Sequence, residues 1–99
     1  MSDADVYRPD LAQALHCLSI SLGDMGKNEE ALVVVEESVD IRRKLAADRP
    51  DTFNDALAGS LNSLSCGLYK ANRKEEAIEA IKEALTIRRE LVKKDPDAS

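Results

Sequence analysis

The sequence makes nearly the same statement twice, 46 residues apart (Glu29 to Glu75). Glu29-Glu30-Ala31-Leu32 returns as Glu75-Glu76-Ala77-Ile78, and Ile41-Arg42-Arg43-Lys44-Leu45 returns as Ile87-Arg88-Arg89-Glu90-Leu91. Leu11, Ala12, Leu15, Leu18, Ser19 and Leu22 return as Leu57, Ala58, Leu61, Leu64, Ser65 and Leu68. Pro50-Asp51 reappears as Pro96-Asp97, which reads as the opening of a third unit. A fixed period of about 20–50 residues marks a repeat architecture. In such chains each unit buries its apolar face only against its neighbours, and the stack presents a surface for holding other molecules. The chain therefore reads as one domain over 1–99. Repeat one spans 4–49, repeat two spans 50–95, and 96–99 start a truncated third.

Within each repeat two segments carry helical periodicity. Leu11, Leu15, Leu18 and Leu22 recur at spacings of four, three and four, with Ala12 and Ser19 widening the stripe. Ala31, Leu32, Val35, Val39 and Leu45 do the same in the second segment. The third and fourth segments repeat them, and none alternates as a strand does. The predicted fold is all-α, a fragment of a helical-repeat solenoid. It has two antiparallel hairpins with helices at about 9–25, 28–47, 54–71 and 74–94. The hairpins are expected to stack with a right-handed superhelical offset. The leucine stripes of the first and third helices should face the second and fourth.

The boundaries have physical causes. Pro9 suits a first helical turn. Asn28 and Asn54 are expected to cap the second and third helices through their side-chain oxygens. Gly26 and Asn72 suit left-handed positions after the first and third helices. Pro50 and Pro96 should end the second and fourth helices, leaving a longer connection from Asp48 to Phe53. Tyr7 and Phe53, just before the odd-numbered helices, should act as hydrophobic staples. Glu29-Glu30 and Glu75-Glu76 in first turns, with Arg42-Arg43 and Arg88-Arg89 near the ends, complement the helix dipoles.

The pattern resembles the tetratricopeptide repeat over essentially the whole chain. Its alternation of large and small residues appears as Leu15, Leu18, Ser19 and Leu22, and as Leu61, Leu64, Ser65 and Leu68. On the second helices it appears as Ala31, Val35 and Ser38, and as Ala77, Ile81 and Ala84. The usual aromatics are replaced by aliphatics, and the period exceeds the family's common 34 residues. The length is similar to that of the long-period subfamily found in kinesin light chains. In those relatives the arrays are longer, so the chain looks like two units of a longer scaffold.

The resemblance implies that the first helix of each unit lines a concave, partner-binding face. Carried over by position, that face holds Gln13, His16, Ile20 and Asp24 in unit one. In unit two it holds Gly59, Asn62, Cys66, Tyr69 and Lys70. Ile20, Cys66 and Tyr69 stand out as apolar or amphipathic residues on an open face. Family members that clamp a C-terminal carboxylate use Lys, Asn and Arg at places held here by His16, Ile20, Asn62 and Cys66. Only Asn62 suits, so a carboxylate clamp is rejected. The Asn that long-period relatives place one residue later is Cys17 or Ser63 here, which weakens that mode of peptide binding.

Composition narrows the function classes. A net charge of −5 argues against nucleic acid, since phosphate binding needs a basic patch. No apolar run approaches the roughly 18 residues of a membrane span. The acidic start Met1-Ser2-Asp3-Ala4-Asp5 is not a signal peptide, so a reducing, cytoplasmic location is expected. Cys17 and Cys66 occupy non-equivalent repeat positions and should be free thiols. Cys17 is expected to be the more buried, and Cys66, on the groove, the more reactive. One histidine and no Cys/His cluster give no metal site or cofactor. His16 and Cys17, adjacent on a helix, diverge by about 100° and make no dyad. No catalytic residues are assigned and the chain is read as a non-enzyme.

The expected function is protein–protein interaction through the concave surface, with an unidentified protein or peptide partner. The alternative is a self-assembling unit. Two repeats leave open ends, and about three are usually needed for a stable solenoid. Ile78, Ile81, Leu85 and Leu91 on the fourth helix form the expected self-association face. A two-fold homodimer is favoured over open stacking, because two-fold pairs are the commonest assembly.

Overall fold

The computed structural model describes residues 9–94. Four α-helices follow one another: α1 (Pro9–Asp24), α2 (Asn28–Asp48), α3 (Pro50–Lys70) and α4 (Lys74–Lys94). Each packs on its neighbour in sequence, α1 touches α3 lightly, and α1 and α4 do not meet. This is the nearest-neighbour layering of a solenoid.

The two hairpin turns are built alike. The Lys27 amide donates to Leu22 O at 2.9 Å and the Gly26 amide to Gly23 O at 3.0 Å. One repeat later Arg73 donates to Leu68 O at 2.8 Å and Asn72 to Tyr69 O at 3.0 Å. These bonds define the Schellman motif, which needs a left-handed residue just past the helix. Gly26 (φ 80°) and Asn72 (φ 65°) supply it, as the sequence predicts.

The connection between repeats is shorter than expected. Arg49 alone separates α2 from α3, with φ −135° and ψ 77°. Proline forbids the helical region to the residue before it but fits the first helical position itself. The helix therefore breaks at Arg49 and restarts at Pro50, so Asn54 lies inside α3 and caps nothing. Asn28 does not cap either. It is the first residue of α2, and Lys27 precedes it without a side-chain cap bond. Because α2 runs on to Asp48, Arg42 and Arg43 fall short of its last turn, which holds no basic residue. Phe53 is half-buried against the core from within α3. Its counterpart Tyr7 lies outside the described residues.

The core is aliphatic and sits between the repeats. Val39, Ala46, Leu57, Ala58, Leu61 and Ala84 form one cluster. Leu32, Val35, Leu68, Ala77 and Ala80 form a second nearer the turns. Leu61 is fully buried. The leucine stripe of α1 behaves differently from that of α3. Ala12 and Ser19 are its buried residues, while Leu11 and Leu18 are 43% and 48% exposed. The small residues permit close approach to α2, and Leu11 and Leu18 lie on the side of α1 that faces no other helix among the described residues.

Candidate functional site

Because α1 and α3 touch only lightly, a cleft opens between them. Its volume is about 210 Å³. Ser19, Ile20, Gly23 and Asp24 of α1 form one wall, and Asn62, Ser63, Cys66, Gly67 and Lys70 of α3 form the other. Asn28, Ala31 and Val35 of α2 form the floor. The floor stays low at Ala31, and Gly67 adds no side chain to the α3 wall. The cleft offers apolar contact from Ile20 and Val35, amide hydrogen bonding from Asn28 and Asn62, and opposite charges on Asp24 and Lys70. Such a mixture suits a short peptide segment better than a small metabolite, which is usually more enclosed.

Beyond Ser63 the space between α1 and α3 is filled by a buried arginine. The Arg42 side chain rises from α2, and the residue is 5% exposed. Its Nη1 donates to Ser60 Oγ at 2.6 Å, to Ala56 O at 3.1 Å and to His16 Nδ1 at 3.2 Å. Its Nη2 donates to Gln13 Oε1 at 2.7 Å. Since guanidinium only donates, His16 Nδ1 must accept, and the proton sits on Nε2. His16 Nε2 then donates to Ser63 Oγ at 2.7 Å. Burial, and after it the Arg42 charge, hold the His16 pKa below its ordinary value. Burial also lowers the Arg42 pKa, but guanidinium stays charged near neutrality. Deeper in, Ser38 Oγ donates to Ala12 O at 2.8 Å and lies 3.4 Å from Ser60 Oγ. With the Ser38 proton already committed, Ser60 is the donor in that contact. One directed chain thus joins α2, α3 and α1, and no buried side-chain nitrogen or oxygen among the described residues lacks a partner.

The family model described as Tetratricopeptide repeat matches this sequence twice, over residues 11–51 and 57–97. The two matches start 46 residues apart (11 to 57), the period read from the sequence, and together cover most of the chain. The chain belongs to the tetratricopeptide repeat family. Comparison with curated proteins gives no match, and neither does comparison with solved structures.

In this tetratricopeptide pair the residues assigned to the concave face do not all stay together. Ile20, Asp24, Asn62, Cys66 and Lys70 line the cleft. Gln13 and His16 are drawn into the arginine network instead. Gly59 is half-buried on the same helix face. Tyr69 is 61% exposed outside the cleft, beside Ile78 and Ile81, with the Lys74 ammonium 5.4 Å from its ring centre.

Other expectations need correction. Both thiols are free, but Cys17 is exposed like Cys66 rather than more buried. It accepts from Gln13 Nε2 at 3.3 Å on the open side of α1. The arginines near the helix ends also make ion pairs between helices: Glu83 accepts two bonds from Arg43 of α2, one at 2.9 Å, and Arg88 donates to Asp55 at 2.8 Å. The Arg42 network is the feature that repeat reasoning missed. Arg42 and Arg88 are equivalent in sequence, yet Arg88 is exposed. The available signal was the non-repeating polar set, Gln13, His16, Ser38 and Ser60, whose counterparts are Gly59, Asn62, Ala84 and Ala14.

Proposed function

We propose that this chain is a protein-interaction module that holds a short, extended peptide segment in the cleft between α1 and α3. The supporting observation is that Ile20, Asn62, Cys66 and Lys70 line one cleft over a floor of small α2 residues. Tetratricopeptide repeats generally mediate protein–protein interaction, and the work here is binding rather than catalysis. The 46-residue period favours the long-period, kinesin-light-chain-like subfamily, and with it a place in a longer scaffold. The cysteines are free, which suits the reducing environment of the cytoplasm. Among the described residues, no helix is long and apolar enough to cross a membrane.

The test is selection from a displayed library of random peptides on the wild-type chain. Selected peptides should slow alkylation of Cys66 while leaving Cys17 unaffected. They should also lose binding to Ile20→Glu and Asn62→Ala. Peptides that bind both variants normally and leave Cys66 unprotected would sink the reading.

A second reading is self-association, which the large exposed apolar residues at both ends of the stack favour. Ile78 and Leu85 of α4 are 50% and 47% exposed, as a self-association face requires. Ile81 and Leu91, assigned to the same face from the sequence, are half-buried, and Ile81 packs onto the core.

A further inference from the structure

The two ends of the stack are the two halves of an interface the chain already contains. That interface lies between α2 and α3. On the α2 side Leu32, Val39 and Ala46 follow one another at seven-residue spacing and are 7%, 3% and 6% exposed. On the α3 side Leu57, Leu64 and Ala71 follow at the same spacing, the first buried and the other two half-buried, and pack into the same two clusters.

One repeat later the α2 row becomes Ile78, Leu85 and Val92 of α4, which are 50%, 47% and 47% exposed. One repeat earlier the α3 row becomes Leu11, Leu18 and Met25 at α1, which are 43%, 48% and 69% exposed. Each open row keeps the apolar character and spacing of its buried counterpart. Isolated exposed apolar residues are ordinary, but two aligned rows at opposite ends are not.

The charges follow the same rule. Inside the chain, Arg43 of α2 reaches over to Glu83 of α4 and forms the ion pair that spans neighbouring repeats. The counterpart of Arg43 at the far end is Arg89, and the counterpart of Glu83 at the near end is Glu37. Both are present with the required sign, exposed, and without an ion-pair partner among the described residues.

We infer that copies of this chain associate head to tail, with the Ile78–Leu85–Val92 row of one copy on the Leu11–Leu18 row of the next. Arg89 of the first copy then pairs with Glu37 of the second. The inference rests on the self-association reading and fixes its geometry. It does not depend on what the cleft binds. It also replaces the two-fold pairing expected from general frequency. A two-fold contact would set like against like, whereas the internal interface sets an α4-type row against an α1-type row. A head-to-tail contact leaves one row of each kind free at the ends, so the assembly grows as an open stack. The fit differs from the internal one in detail. Gly67, which lies 3.5 Å from Leu32 Cδ1 by its ideal Cβ position, is replaced by Ser21, and Ala46 is replaced by the larger Val92.

The test uses two surface variants, Leu18→Glu on one row and Leu85→Glu on the other. Sedimentation velocity is run from low micromolar to near millimolar concentration, with circular dichroism to verify that both variants remain helical. The wild type should gain mass continuously with concentration and pass beyond the dimer. Each variant alone should stay monomeric, since one of its two rows is spoiled. An equimolar mixture should form one-to-one pairs and nothing larger, through the intact row of each. Arg89→Glu in the donor copy should weaken that pair, and Glu37→Arg in the acceptor should restore it. A wild type that stays monomeric throughout overturns the proposal and leaves the rows to further repeats of a longer chain. A variant that still dimerises alone, or a mixture that stays monomeric, overturns it as well.

Discussion

Arg42 donates a hydrogen bond from Nη1 to Nδ1 of His16 at 3.2 Å, placing a permanent cation against a titratable ring. Protonating His16 would set a second donor and a second positive charge on the guanidinium. The folded-state pKa is accordingly lowered, by burial first and by Arg42 second. The unfolded chain therefore binds the proton more readily than the folded one. Stability is fully present above the ordinary histidine pKa of about 6.5 and falls as pH drops below it, down to the folded-state value. Urea midpoints should hold steady from neutral to mildly alkaline pH and decline on mild acidification. In His16→Gln, which keeps a polar group and cannot titrate, that decline should be much reduced. This is the chain's one histidine, so proton NMR reads its titration without assignment.

The two arginines that the repeat makes equivalent should behave differently on mutation. Arg42→Ala leaves the fully buried Ser60 Oγ without its charged donor and also removes the bonds to the half-buried Ala56 O and to Gln13 Oε1. Losing a charged donor to buried acceptors costs about 2–3 kcal/mol. Arg88 meets Asp55 in water, with side chains 53% and 74% exposed. Such surface pairs contribute roughly 0–1 kcal/mol, so Arg88→Ala should be nearly silent. Equal losses in urea denaturation would mean that Arg42 is hydrated rather than buried.

Periodicity carried most of the fold. The four helices, their antiparallel order and the left-handed residues Gly26 and Asn72 were legible because each depends on local spacing or local sterics. The start of α3 was not. Proline both ends and begins helices, and spacing alone does not say how many residues lie between the two. The cleft was legible in part. Position on α1 and α3 marked Ile20, Asn62 and Cys66, but Gln13 and His16 are taken up by an arginine from α2, 26 or more residues away in sequence. That contact arises where the repeats cease to match, which a repeat-based reading averages away.

Leucines on the corresponding stripes of α1 and α3 should also separate by burial. Leu61 is fully buried between α2 and α4, and Leu61→Ala should cost about 2–5 kcal/mol through lost transfer energy and a residual cavity. Leu18 is 48% exposed, so Leu18→Ala should cost less than about 1 kcal/mol in the monomer. The two leucine stripes therefore contribute unequally to the stability of the monomer. Thermal denaturation at low concentration checks it, and at high concentration any loss at Leu18 includes the contact between copies.

The turns give the last contrast. Gly26 and Asn72 fill the same left-handed position in the two hairpins, with φ 80° and φ 65°. A Cβ added at Gly26 would meet nothing within 4 Å, so Gly26→Ala creates no clash with neighbouring elements. Its cost is the backbone strain of an L-residue in the left-handed region, about 1–2 kcal/mol. Asn72 already bears part of that strain, eased by its short polar side chain. Asn72→Gly should therefore be neutral or stabilising, by up to about 1 kcal/mol, because the gain in native strain opposes the greater freedom of an unfolded glycine. Asn72→Ala should lose stability as Gly26→Ala does. If instead Gly26→Ala leaves the urea midpoint unchanged, the first turn does not need its left-handed residue and the two Schellman motifs are not equivalent.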